Sequence, residues 1–403
     1  MKVLILWSGA VVPSYRQFFL ELAKRMRVRV LSPRRWTHGS KTFAGSGNRD
    51  ARGSDHSAQS HSRDRETAAR NDPGAEPESG GLETGCEIVP VSYLPERSSR
   101  YWVPALAFHL WAFRPRYLYI MDEMDRPSLA WHSLMARLIW PPVRIVSYTL
   151  QNLPRPSYHR WHHRLATWVN QALVSRCIAA SREADEVLKS HGFRKPSRVI
   201  PLWGSESCYY PGEVKAKETF RDKLGVANDE TVIAYAGGMV EAKGLLLLKR
   251  VLPRFPKLRV VSAGNGPLEK SLPESLEGRW IHLGALEGDD LRSLFQAAGY
   301  IILPSMTMGH WKEQIGRSLI EGILCGCIAL GSDSGHIPEL TLFPETTFRQ
   351  GDAESLAAML EGLPLPEAKA QEIREAQDRN VRERFTASAV ARATWSFLQE
   401  SET

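Results

Sequence analysis

The stretch KEQIGRSLIEGILCGCIALGSDSGHIPEL (312–340) carries two carboxylates, Glu313 and Glu321, separated by seven residues, with Gly316 between them. Gly316 stands at the head of an apolar-periodic run, where a helix is expected to begin. Lacking a Cβ, it lets backbone approach a ligand closely. The amides of Arg317, Ser318 and Leu319 would form the first helical turn. Their N–H groups have no intrahelical acceptor, and with the positive end of the helix dipole they favour a phosphate. Glu321, inside the helix, is an acceptor suited to the two hydroxyls of a ribose. Glu313, on the preceding loop, can reach a sugar hydroxyl beyond the phosphates. On this reading the spacing spans a nucleoside-diphosphate sugar. Two glutamates at an arbitrary spacing are more often solvated surface charges, so the reading depends on their company.

That company is four glycine loops. AYAGGMVEAKG (234–244) ends a run of strand type with Gly237 and Gly238 and then offers Lys243, a point charge suited to phosphate. SAGNGPLEKSL (262–272) places Gly264, Asn265 and Gly266 just past another strand, where a base or phosphate could meet backbone. SGHIPEL (334–340) and WSGAVVPSY (7–15), the latter with Gly9, repeat the arrangement. One such loop is usually only a turn. Four at carboxyl strand ends mark the edge where open parallel sheets bind ligands.

The elements that would hold these loops alternate along the chain. KVLILW (2–7), RVRVL (27–31), CEIVPV (86–91), YLYIM (117–121), VRIVSY (143–148) and RCIAAS (176–181) read as strands, with helical periods between them. A second series begins at TVIAYAGG (231–238) and continues through LRVVSAG (258–264), WIHLG (280–284), YIILPS (300–305) and CIALGS (327–332). Such alternation predicts an α/β protein of two Rossmann-like domains with parallel sheets facing a central cleft. The expected boundaries are 1–205 and 212–378. WGSESCYYPGEVKAKE (203–218) is read as the linker. Residues 379–403 are expected to form a helix that packs back on the first domain. Residues 37–85 hold one Phe, one Leu and no Ile, Val, Trp or Tyr, so they are read as a disordered insertion that cannot offset its ordering entropy.

Composition narrows the partners. The net charge of +7 divides into +13 over residues 1–200, with 30 Lys and Arg against 17 Asp and Glu, and −6 over the remainder. The basic half points to something anionic, a membrane surface, a lipid phosphate, an acidic glycan or nucleic acid, unless it is only a solubilising arginine-rich surface. No nucleic-acid recognition motif accompanies it. No apolar run is long enough to cross a bilayer, and the five cysteines form no CxxC or even framework. The expectation is a cytoplasmic protein, peripheral at the inner face of the membrane. The apolar run 102–113 reads first as core packing, with an interfacial patch as the alternative.

From about Arg176 to Glu339 the chain resembles the retaining glycosyltransferases of family 4, which have the GT-B fold. AYAGGMVEAKG, VSAGNGPLEKSL, IHLGALEGDDLRSLFQAAGYIILPS and EQIGRSLIEGILCGCIALGSDSGHIPEL carry the resemblance. It implies that Glu321 holds the ribose, Glu313 a donor-sugar hydroxyl, Lys243 the diphosphate, and the amides from Gly316 to Leu319 the distal phosphate. The Gly9 loop would let donor and acceptor meet. It further implies a metal-independent reaction without cofactor, in which the leaving diphosphate takes the acceptor's proton on the same face. Acceptor contacts are expected from Gln151 and Asn152, with Glu123 in MDEMD (121–125) beside them. The acceptor class is a glycan or lipid-linked molecule in cell-surface polysaccharide or glycoconjugate synthesis. The chain departs from the family at Gly238, where a second cation usually stands; Arg317 and His310 are the candidates to replace it. Two other readings follow: a catalytically weak or silent nucleotide-sugar binder, and a sugar-nucleotide epimerase of similar fold.

Overall fold

The computed structural model describes residues 1–38, 41–44, 85–95, 101–154, 160–227, 229–269, 271–272, 276, 278–309 and 311–400. Its first sheet is built from β1 (Lys2–Leu6), β2 (Arg27–Pro33), β5 (Cys86–Val91), β6 (Tyr117–Ile120), β7 (Arg144–Thr149), β8 (Val174–Ala179) and β9 (Ser197–Val199). A hairpin, β3 (Arg35–His38) with β4 (Lys41–Ala44), stands apart from it. The sheet order is β5-β2-β1-β6-β7-β8-β9, every pair parallel. The second sheet contains β10 (Thr231–Ala236), β11 (Leu258–Ala263), β12 (Trp280–His282), β13 (Tyr300–Leu303), β14 (Ile328–Ser332) and β15 (Thr347–Phe348), in the order β12-β11-β10-β13-β14-β15, again parallel.

The strands β1 and β10 are apolar beyond their first residues because helices cover both faces of a parallel sheet. Val3, Leu4, Ile5 and Leu6 of β1 are fully buried, as are Ile233, Ala234 and Tyr235 of β10. Strand order reverses between β1 and β6 and between β10 and β13. Those two switch points open crevices at the carboxyl ends of the strands. Gly9 and Glu123 follow the first pair, and Gly238 and Ser305 follow the second.

The chain then returns to its first domain. Helix Ala387–Gln399 packs on helix Arg16–Ala23. Its N-terminus is held twice over: Thr386 accepts from the Ala389 amide, and the Glu206 carboxylate accepts from the amides of Ala387 and Ser388 at 2.9 and 3.0 Å. Tyr117 Oη donates to Leu398 O at 2.6 Å, and Arg176 to Phe397 O at 2.6 Å.

Three expectations need correction. The returning helix begins at Ala387, not 379, because Glu367–Arg384 is a separate helix packed within the second domain. The linker stops before Val214, where helix Val214–Lys223 starts; its Lys-Ala-Lys-Glu run, read as turn chemistry, is composed of good helix formers. The insertion begins as the β3–β4 hairpin, with Trp36 opposite Phe43; residues 39–40 and 45–84 lie outside the described residues.

Candidate functional site

The C-terminal crevice gathers the residues singled out in the sequence. Lys243 follows β10 and its glycine turn, in the short helical turn Glu241–Lys243. Lys243 Nζ lies 2.5 Å from Glu313 Oε2, and Ser305 Oγ donates to the same oxygen at 2.7 Å. Trp311 lies beneath the ammonium, 5.0 Å from Nζ to ring centroid. Glu313 is 8% exposed, so this carboxylate is no solvated surface charge. Its main chain is fixed from below by Gly335. A Cβ there would sit 2.0 Å from Glu313 O, and Gly335 has φ +56°. The glycine of SGHIPEL therefore serves the placement of Glu313.

Helix Arg317–Leu324 starts where expected. Gly316 is its N-cap with φ +62° and ψ +47°, a left-handed conformation that favours glycine. The anion cradle is narrower than the sequence reading. The Leu319 amide already donates to Gly316 O at 2.8 Å. Arg317 and Ser318 supply the amides at the helix head.

Glu321 is 4% exposed and does not stand alone. Arg317 Nε donates to Glu321 Oε1 at 2.7 Å. The same guanidinium donates to Ser14 Oγ at 2.8 Å and stacks on Tyr15, 4.4 Å from the ring centroid. Burial raises the Glu321 carboxyl above the usual range, and Arg317 opposes that rise. Burial works against the charge on Arg317, but Glu321 and Tyr15 more than offset it and hold the guanidinium protonated.

The glycines after β10 and β11 have another explanation than ligand approach. A Cβ on Gly264 would lie 1.8 Å from Gly237 O, and one on Gly266 would lie 2.4 Å from Met239 O. Met239 N donates to Asn265 O at 2.9 Å. Gly237, Gly264, Asn265 and Gly266 thus lock two loops together by backbone. Gly238 is different: nothing lies within 4 Å of its Cβ position, and Tyr235 Oη donates to its carbonyl at 2.8 Å.

From the first domain, the loop after β7 crosses to this site. Asn152 Nδ2 donates to Glu313 O at 3.1 Å, and Gln314 Nε2 donates to Leu150 O at 3.1 Å. Glu123 braces that loop by accepting from Thr149 Oγ1 and, at 3.1 Å, from the Leu150 amide. Its role is loop support. Gln151 is 6% exposed, and its Nε2 has no hydrogen-bond partner among the described residues, which leaves a buried donor for a bound group. Gly9 sits in the turn Ser8–Val11 against the Trp7 ring. His310 lies outside the described residues. Sequence reasoning missed Ser305, Ser14 and Tyr15. Each ended a quoted segment, Ser305 in YIILPS and Ser14 with Tyr15 in WSGAVVPSY, without being singled out.

Comparison with known proteins shows what the chain resembles. Residues 216–382 match the family model described as glycosyl transferases group 1. A sulfoquinovosyl transferase of Arabidopsis thaliana is 26% identical over 238 residues, 55% of this chain and 43% of that protein. A D-inositol 3-phosphate glycosyltransferase of Mycobacterium tuberculosis is 28% identical over 169 residues, 39% of this chain and 33% of that protein. The chain spans less than half the length of the curated relatives it matches. The crystal structure of Anabaena HepE in complex with UDP and glucose superposes with a TM-score of 0.68 at 18% identity, covering 99% of both chains. That of WaaG, a glycosyltransferase involved in lipopolysaccharide biosynthesis, gives 0.62 at 13% identity over 99% of this chain and 100% of its own. The fold is GT-B.

Proposed function

We propose that this chain, whose residues 216–382 match the family model of glycosyl transferases group 1, is a retaining glycosyltransferase. It moves a sugar from a UDP- or GDP-sugar to a glycan or lipid-linked acceptor in the synthesis of a cell-surface polysaccharide or glycoconjugate. The carrying observation is the Lys243–Glu313–Ser305 cluster at the switch point, facing the helix that starts at Gly316. The UDP and glucose bound by HepE support the donor class.

In this reading Glu321 accepts from the ribose hydroxyls, Glu313 accepts from a hydroxyl of the donor sugar, and Lys243 moves from Glu313 to the diphosphate. The Arg317 and Ser318 amides take the distal phosphate. No protein nucleophile and no metal are required, since the leaving diphosphate accepts the acceptor's proton on the same face. The protein's work is then positioning and neutralising leaving-group charge. Gln151 and Asn152 line the acceptor side, with Glu123 behind them. The basic first half supports a location at the inner face of an anionic membrane.

Gly238 favours a second reading, a nucleotide-sugar binder with little turnover, because one cation is missing from the diphosphate site. Slow hydrolysis across a panel of UDP- and GDP-sugars, beside calorimetric titration with UDP and GDP, separates the two. Binding with hydrolysis supports the transferase. Binding alone supports the second reading, and absence of binding overturns both.

A further inference from the structure

Helix Pro127–Ile139 packs between helices Leu106–Phe113 and Trp161–Leu173 on one flank of the first domain. All three turn apolar side chains outward. Trp161, Leu165 and Trp168 share one helix face and are 75, 51 and 68% exposed. Trp131 and Leu138 on the middle helix, and Phe108 and Trp111 on the first, extend the same surface. Polar groups occupy the inner face of Trp161–Leu173. Asn170 Nδ2 donates to Met124 O at 2.9 Å and to Arg126 O at 3.2 Å, and His163 Nδ1 lies 2.8 Å from Asp125 O. This helix therefore inverts the usual pattern for water, and an exposed patch of that kind marks a binding surface.

The formal charge on the three helices has one sign, from Arg137 and Arg164 with no acidic residue. Residues 101–182 hold ten Arg, no Lys and three acidic residues, Asp122, Glu123 and Asp125. The acids all sit in the loop after β6, and none lies on the three helices. Tryptophan with arginine suits the layer where lipid headgroups meet acyl chains: the indole takes the boundary and the guanidinium the phosphate. A second copy would set arginine against arginine. None of the described helices is long and apolar enough to cross a membrane.

We propose that this three-helix face seats in the interfacial layer of an anionic bilayer. The hydrogen bonds from His163 and Asn170 tie it to the loop that carries Glu123, so the seated face holds the acceptor side of the cleft at headgroup level. The acceptor is therefore lipid-linked and arrives by diffusion within the membrane. The acceptor clause rests on the glycosyltransferase reading; the seating does not.

The test uses the full chain with vesicles of phosphatidylcholine and phosphatidylglycerol, beside vesicles of phosphatidylcholine alone. Binding to the mixed vesicles is expected to persist in part at high salt, because burial of tryptophan is not screened. Brominated lipids are expected to quench tryptophan fluorescence. The double variant Trp161→Ser, Trp168→Ser should partition at least about tenfold more weakly and lose much of the quenching, with UDP or GDP titration unchanged. Equal binding by parent and double variant, or absence of quenching, overturns the seating. So does a homodimer, or a stable protein complex, that the double variant dissolves. Failure of the parent to bind any nucleoside diphosphate removes the glycosyltransferase reading and leaves the vesicle result standing.

Discussion

Lys243 Nζ and Glu313 Oε2 are 2.5 Å apart across the mouth of the C-terminal crevice, joining the loop after β10 to the loop before helix Arg317–Leu324. Each is the other's counter-ion until a donor arrives. A diphosphate draws the ammonium away and frees the carboxylate for a sugar hydroxyl, so the two substitutions should fail differently. Glu313→Gln is expected to leave UDP or GDP affinity within about twofold, since its contact is with the sugar, while turnover falls on the order of a hundredfold. Lys243→Ala should weaken diphosphate far more than monophosphate. Calorimetry with both nucleotides, beside donor turnover, reads both effects. Loss of diphosphate affinity in Glu313→Gln would place that carboxylate on the nucleotide instead.

Gly238→Arg is expected to be accepted. No atom lies within 4 Å of the Cβ position, and the residue is absent from those with left-handed φ. The new guanidinium can reach the same crevice as Lys243. Diphosphate affinity should rise roughly five- to tenfold, the worth of one charge-assisted hydrogen bond. The melting temperature should hardly move. Unchanged affinity would mean that the diphosphate does not lie beside this turn.

Asp122, beside Glu123 in the loop after β6, gives a pH test. Burial pushes its carboxyl up from 3.8 to about 7, against hydrogen bonds from Ser128 and the Glu123 amide. A carboxyl whose folded pKa exceeds its unfolded value contributes stability that is full below about 3.8 and is lost as pH rises through about 7. Asp122→Asn removes that loss. The variant should match the parent near pH 4 and melt higher near pH 8, by several °C at most, because Asp122 keeps partial solvent contact. An equal difference at both pH values would remove the titration argument.

Legibility in the sequence followed the range of the interactions. The strand TVIAYA is apolar and buried beyond its first residue, Thr231, so its place in a parallel sheet could be read from composition. Glu313, Gly316 and Glu321 lie in one short segment, and their helix follows from local chemistry. Arg317 with Ser14 and Asn152 with Glu313 O join residues 303 and 161 positions apart, and nothing local announces them. Glycine was ambiguous for a physical reason. Gly264 lacks a side chain to admit Gly237 O, and a ligand would make the same demand. The Trp161–Leu165–Trp168 stripe lies along one face of its helix. It faces outward because His163 and Asn170 are needed inside, against the carbonyls of residues 124–126.

Glu321 and Arg317 provide the last test, because the pair serves both the nucleotide and the closure of the domains. Ribose is common to mono- and diphosphate, so Glu321→Gln should weaken both alike, by on the order of 1–3 kcal/mol as charge-assisted hydrogen bonds become neutral. Arg317→Ala removes more. It leaves Glu321 buried without its cation and cuts the second domain from Ser14 and Tyr15 of the first. Stability should fall by about 2–4 kcal/mol, near the cost of breaking a buried ion pair. With burial unopposed, the Glu321 carboxyl should rise further, so nucleotide binding in Arg317→Ala should be lost at a higher pH than in the parent as pH falls. Thermal melts and UDP titrations from pH 5 to pH 8 measure the two effects. If Glu321→Gln binds UDP as tightly as the parent, the carboxylate belongs to the domain contact alone, and the ribose must be held elsewhere in the crevice.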